Sequence, residues 1–194
     1  FSFDAIDARF RANVYRQKET LACALRILAS EVPDFSKLNL PDVLRDFIGY
    51  KQGFVLITGP TGHGKSTTVA SLLNEINKQR NAHIVTIEDP VEYVLKPNKS
   101  IISQRELGGD TNDFKMALRS CLRQDPNVVF VGEMRDLESI QSALTIAETG
   151  HLVFSVLHTN SAAQTIDRIV DVFPEESKEQ VKIQLASVLT AVVS

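Results

Sequence analysis

Cysteine is nearly absent from this chain, with Cys23 and Cys121 the only two among 194 residues. They lie far apart, in neither zinc-ligand nor redox spacing, which excludes a disulfide framework and predicts reduced, packed thiols in a reducing compartment. An excess of one charge is also lacking. Lys and Arg total 21 against 24 Asp and Glu, for a net charge of −3. That balance gives no bulk electrostatic reason for nucleic acid or an anionic membrane surface to be the main partner. No apolar run approaches the roughly 18 residues of a membrane span, and no secretory leader is visible. The expectation is a soluble, cytoplasmic protein with no membrane insertion. Internal repeats and low-complexity tracts are missing. So is an initiator Met: the chain begins at Phe1 and stops inside a helical pattern, so it reads as a fragment.

What is present is dense with chemistry. Hydrophobic residues make up 43% of the chain, enough for one full core and an appended piece. The centre of the sequence is Gly59-Pro60-Thr61-Gly62-His63-Gly64-Lys65-Ser66, followed by Thr67. An apolar, β-branched run at 53–58 precedes it, and Val69, Leu72, Leu73 and Ile76 follow at helical spacing. Strand, Gly-rich turn and helix together turn this pattern into a phosphate cradle. The glycines let consecutive backbone N–H groups and the helix N-terminus face an anion. Lys65 is placed for the β- and γ-phosphates and Ser66 for Mg²⁺. A Gly-rich turn with a chance lysine has no reason to carry both flanks. The chain is expected to bind a nucleoside triphosphate.

Around this centre the elements alternate as a parallel α/β sheet requires. Strands are predicted at 53–58, 83–87, 128–131 and 152–157, with a short extended piece at 101–103. Helices are predicted at 41–48, 113–123, 137–148 and 162–170, and from 175 to the end. Residues 1–30 differ. Phe10, Ala12 and Val14 alternate with Arg9, Arg11, Asn13 and Tyr15, the pattern of a half-buried strand with a basic face. Residues 21–27 alternate too, although Leu21, Leu25 and Leu28 would also suit a helix. The division that follows is 1–30 as the end of a small sheet-bearing domain, 31–40 as linker and 41–194 as the phosphate-binding core.

A P-loop needs acidic groups at neighbouring strand ends, and two places supply them. The run 128–131 ends in Gly132-Glu133, with Gly132 where an Asp usually stands, so Glu133 is a candidate to polarise water. The run at 83–87 ends in Glu88-Asp89-Pro90-Val91-Glu92, where Glu92 suits the attacking water and Glu88 the metal side; sequence leaves their order open. His158, just after 152–157, is either a γ-phosphate contact or a structural histidine. Arg105, Arg119, Arg123 and Arg135 are either solvated or lent to a neighbouring subunit, which would imply a dimer or ring.

Taken together, these residues resemble the secretion ATPase superfamily, and within it the type IV pilus retraction ATPases. The resemblance runs through 59–68, Thr-Ile-Glu-Asp-Pro-Val-Glu-Tyr at 86–93, Gln-Arg-Glu at 104–106, 117–126, Val-Gly-Glu-Met-Arg-Asp at 131–136 and the 147–160 stretch ending Leu-His-Thr-Asn. It implies a RecA-like ATPase core behind the end of a PAS-like N-terminal domain, with ATP and Mg²⁺ bound between them. It also implies a homohexamer, peripheral to the inner membrane, working on a pilus platform protein there. The residues themselves give Gly59 through Thr67 to the nucleotide and Glu88 to the metal side; family roles carried to matching positions give Lys65 and Ser66 to phosphate and Mg²⁺, and Glu133 and Glu92 to water activation. His158 becomes a γ-phosphate sensor, and Arg105, Arg119 and Arg123 become contacts in trans. The absence of a four-cysteine zinc insertion points to retraction rather than pilus extension or type II secretion. Against that family, His63 replaces a small serine. The start of the N-terminal domain and the C-terminal helical domain are not in the sequence.

Overall fold

The computed structural model describes residues 1–5, 8–28, 31–134 and 136–194. It opens with three antiparallel strands, β1 (Ser2–Ala5), β2 (Ala8–Gln17) and β3 (Thr20–Leu28), paired in that order. Lys18 and Glu19 join β2 to β3 with φ of 46° and 66°, the two-residue geometry that follows the twist of a hairpin. The expected strands are present, but β2 is not half-buried: only Ala12 along it is buried. Val14, Leu21, Leu25 and Ile27 stand exposed, as does Cys23, so only Cys121 is the packed thiol expected of both. The basic face turns to the rest of the molecule, because Arg9 finds a carboxylate there and Arg11 and Arg26 find a cavity.

After two short 3-10 turns comes a single helical turn, α1 (Asp46–Gly49), then β4 (Gly53–Thr58), α2 (Lys65–Gln79), β5 (His83–Glu88) and β6 (Ile101–Glu106). The chain continues through α3 (Phe114–Cys121), β7 (Val128–Val131), α4 (Leu137–Glu148), β8 (Leu152–Leu157), α5 (Ala162–Asp171), α6 (Lys178–Val188) and β9 (Leu189–Val193). The six strands from β4 onward form one sheet, ordered β6-β5-β7-β8-β4-β9, with parallel pairing throughout. This is the expected α/β class. Every residue of β4, β7 and β8 is buried, as a parallel sheet covered on both faces demands. Alternate residues of β4 serve opposite faces. Phe54 and Leu56 pack with Leu118, Leu144 and Ile140, while Val55 and Ile57 pack with Val69, Leu72 and Ile76. Each such side chain contributes about 1.5–3 kcal/mol of burial.

The chain's end overturns one expectation. The helix predicted from 175 onward stops at Val188, and Leu189–Val193 becomes a strand beside β4. Residues 188–193 are apolar at spacings that suit either state. The open backbone edge of β4 decides, since β9 satisfies it. The approach is close: a Cβ on Gly53 would lie 2.1 Å from Thr190 Oγ1. Two smaller differences are that β6 runs on to Glu106 and that α3 ends in a 3-10 turn, Leu122–Gln124, before Asp125 at φ 52°.

Candidate functional site

Because the strands are parallel, their C-terminal ends share one edge, where ligands of open α/β sheets bind. The phosphate loop leaves β4 at this edge and enters α2 through Gly64, which is left-handed at φ 80°, as is Gly62 at 83°. A side chain at either would strain the loop. Lys65 is buried and donates from Nζ to the carbonyls of Gly59 (2.7 Å) and Pro60 (2.8 Å). Burial pulls its pKa down, while the charges of Glu133 and Glu92 push it up, so both carboxylates lie within electrostatic reach of the ammonium. Ser66 is half-buried at the helix start. Thr67 shares a 2.9 Å hydrogen bond with the Tyr93 hydroxyl. His63 is exposed, its Nδ1 3.2 Å from the Thr61 carbonyl of its own loop.

Beside the loop lies a cavity of about 890 Å³. Its lining includes Lys65, Ser66, Glu88, Glu92, Glu133 and His158, so residues spread over almost a hundred positions come together. Its other wall comes from the N-terminal sheet: Arg11 and Arg26, cross-strand partners on β2 and β3, together with Ile27 and Leu28. These two arginines were not among the sequence candidates. The basic face of β2 was the only available signal.

The carboxylates differ in setting. Glu88 closes β5, buried, accepting from Thr86 Oγ1 at 2.7 Å and Gln104 Nε2 at 3.3 Å. Burial first, then the charge of Glu92, pushes it up to about 7, against the hydrogen bonds that favour its ionised form. Glu133 is paired with His158, Oε1 to Nε2 at 3.2 Å. The missing Asp at position 132 now has a steric reason. A Cβ on Gly132 would stand 3.1 Å from both Glu88 Cα and the Ile87 carbonyl, and 3.4 Å from Glu88 Cγ. Glu88 on the neighbouring strand occupies the space a side chain at 132 would need.

Among the described residues, no cluster of three or more His, Cys, Asp or Glu is arranged to hold a metal by itself. The donors facing the cavity suit Mg²⁺ that arrives with a polyphosphate: a hydroxyl at Ser66 and a buried carboxylate at Glu88. The remaining arginines are elsewhere. Arg105 on β6 donates to Ser120 Oγ (3.1 Å) and to the Asp110 carbonyl (3.3 Å). Arg119 is exposed on α3 and Arg123 in the 3-10 turn that follows it, and none of the three lines the cavity. Arg135 lies outside the described residues.

The family model for Type II/IV secretion system protein matches residues 16–194. The chain is 49% identical, over its whole length, to the type IV pilus retraction ATPase PilT of Pseudomonas aeruginosa, of which it covers 57%. It is 51% identical, again over its whole length, to a twitching motility protein of Neisseria gonorrhoeae, of which it covers 52%. Among solved structures, 99% of the chain superposes on the pilus retraction motor PilT with bound ADP at a TM-score of 0.94 and 55% identity, covering 56% of that molecule. The chain thus spans little more than half the length of the relatives it matches.

Proposed function

The chain belongs to the type II/IV secretion system protein family, and from that premise we propose that it is the ATP-hydrolysing part of a motor that retracts a type IV pilus. One observation carries the reading: the phosphate loop, Glu92, the Glu133–His158 pair and two arginines from a separate sheet all face one cavity. The names of the relatives supply the direction, since one is called a retraction ATPase and the other a twitching motility protein.

In this mechanism ATP lies between the core and the N-terminal sheet. The phosphate loop's amides and Lys65 grip the β- and γ-phosphates. Lys65 must leave the Gly59 and Pro60 carbonyls to do so, exchanging two neutral acceptors for the charged phosphate oxygens. Ser66, with Glu88 behind it, would hold Mg²⁺, which would supply positive charge to offset the phosphates and carboxylates. Glu133, oriented by His158, and Glu92 polarise the attacking water and accept its proton. Arg11 and Arg26 offer positive charge to the terminal phosphate. Its departure frees both arginines and His158, and the N-terminal sheet then rotates about 31–40 as the working stroke.

The assembly is a homohexamer at the cytoplasmic face of the inner membrane, engaging a pilus platform protein there. Arg105, Arg119 and Arg123 lie away from their own cavity, which suits contacts to a neighbouring subunit. Among the described residues no helix is long and apolar enough to cross a membrane. The test is Lys65→Ala in the full-length protein, followed by ATP turnover and pilus retraction in cells. Loss of both supports the proposal; retraction at the wild-type rate without ATP turnover overturns it.

A further inference from the structure

One carboxylate outside the set assigned to the nucleotide joins the parts of the site. Glu106 ends β6 as the register partner of Glu88, and its side chain is only 8% exposed. From the N-terminal sheet it receives the Ser2 amide (3.1 Å) and the Ser2 hydroxyl, which lies 2.7 and 2.6 Å from its two oxygens. Arg9 Nη2 donates to Oε2 at 3.0 Å and also to Ser2 Oγ at 2.6 Å. The same Oε2 accepts the Val91 amide at 3.1 Å. Val91 precedes Glu92 in the chain.

On its other side Glu92 is followed by Tyr93, whose hydroxyl meets Thr67 at the start of α2 and whose carbonyl accepts from Gln104 Nε2 at 2.9 Å. Glu92 therefore sits between an anchor on the phosphate-binding helix and an anchor on Glu106. The second anchor is shared, through one oxygen atom, with the N-terminal sheet. We propose that Glu106 is a positioning residue for hydrolysis, which through the Val91 amide makes the placement of Glu92 depend on the docking of the N-terminal sheet. This rests on the role given to Glu92 above.

The physical reason is that one carboxylate is held by groups from both sides. If the sheet undocks, Glu106 loses a guanidinium, a hydroxyl and an amide together and opens to water, which competes for the oxygen that holds the Val91 amide. Undocking and movement of the 88–93 loop become one event. Linkage makes the coupling reciprocal: a bound triphosphate that fixes Glu92 also favours the docked sheet. The device places a competent water-activating group only when the arginine wall of the cavity is closed.

Arg9→Gln and Glu106→Gln in the full-length protein test this, with turnover, nucleotide affinity and a distance as readouts. The distance is measured between spin labels on exposed Cys23 and on a cysteine introduced at Lys99. Arg9 does not line the cavity, so a direct effect on nucleotide contacts is not built into that variant. Expected for both is a fall in kcat on the order of tenfold, the scale of a lost charge-assisted hydrogen bond. Affinity for a non-hydrolysable ATP analogue falls by a smaller factor than kcat, because binding must redock the sheet. The distance distribution is broader than wild type without the analogue and narrows when it binds. Should either variant fold poorly, Ser2→Ala provides a milder break of the same contact. Wild-type kcat in folded Arg9→Gln and Ser2→Ala, or equal losses of kcat and affinity, overturns the link alone. No ATP turnover in the wild type overturns the hydrolytic reading and this proposal with it.

Discussion

The two sheets of this molecule are built on opposite plans. In the six-stranded sheet β4, β7 and β8 are buried from end to end, and their alternate side chains feed two apolar cores. The three-stranded sheet buries one residue of β2 and leaves Leu21 and Ile27 about 70% exposed, at 71% and 70%. It meets the core through polar groups, with Arg9 and Ser2 on Glu106 and Arg11 and Arg26 at the cavity. Apolar contacts hold one geometry; polar contacts around a cavity can be made and broken with the charge inside it. On the proposed mechanism the core grips the nucleotide and the small sheet responds.

The largest effect that would sharpen this contrast is on catalysis. Lys65→Ala should lower kcat/KM by a factor on the order of 10²–10³, the cost of removing a preorganised charge from a developing anion, whereas Arg11→Ala or Arg26→Ala should cost less because each shares its task with the other. Equal losses in steady-state turnover would break the division of labour. Next comes packing. Leu144→Ala, in the core at 0% exposure, should destabilise by about 2–5 kcal/mol, while Leu25→Ala, 58% exposed on β3, should cost less than about 0.5 kcal/mol. Denaturant midpoints of the two variants check this.

A smaller change probes the seam inside the core. Gly132→Ala forces β7 away from β5 at Glu88 and should destabilise by about 1–3 kcal/mol, as overpacking does. Gly132→Asp, which restores the residue usual at this position, should therefore lower activity rather than raise it. The smallest effect is a slope. Glu88 and Glu106 are register partners whose settings shift them in opposite directions. Burial, then the charge of Glu92, raises Glu88 from 4.5 to about 7. The folded chain then holds the proton where the unfolded chain has released it, so this contribution falls as pH rises from 4.5 to about 7 and is flat above. Glu106 is the reverse. Burial acts to raise it, but the bonds from Ser2, the Val91 amide and Arg9 outweigh that and hold it below the ordinary value. Its stabilisation is present above that value and lost as pH falls through the lowered one. In thermal melts against pH, Glu88→Gln should flatten the limb between 4.5 and 7 and Glu106→Gln the acid limb.

What could be read from the sequence was what is local. The phosphate loop announces itself because strand, glycines, Lys65 and helix are contiguous; Glu88, Glu133 and His158 follow because each ends an apolar run, and Glu92 because it shares the acidic loop after Glu88. Arg11 and Arg26 were missed because nothing along β2 and β3 says which face meets the core. Glu106 was missed as a junction because its partners, Ser2 and Arg9, come from the other end of the chain. The strand β9 was missed because residues 188–193 suit helix or strand, and only the open edge of β4 chooses. The Gly at 132 read as a departure; it is the space that Glu88 fills.

The most direct measurement is single-turnover hydrolysis of ATP by full-length Glu133→Gln beside wild type, with nucleotide affinity measured on the same samples. Expected is unchanged affinity and a hydrolysis rate lowered by a factor on the order of 10²–10⁴, the scale of a lost general base. Hydrolysis at the wild-type rate, with ATP bound equally well, would contradict the assignment of this cavity as the site where the γ-phosphate is cleaved.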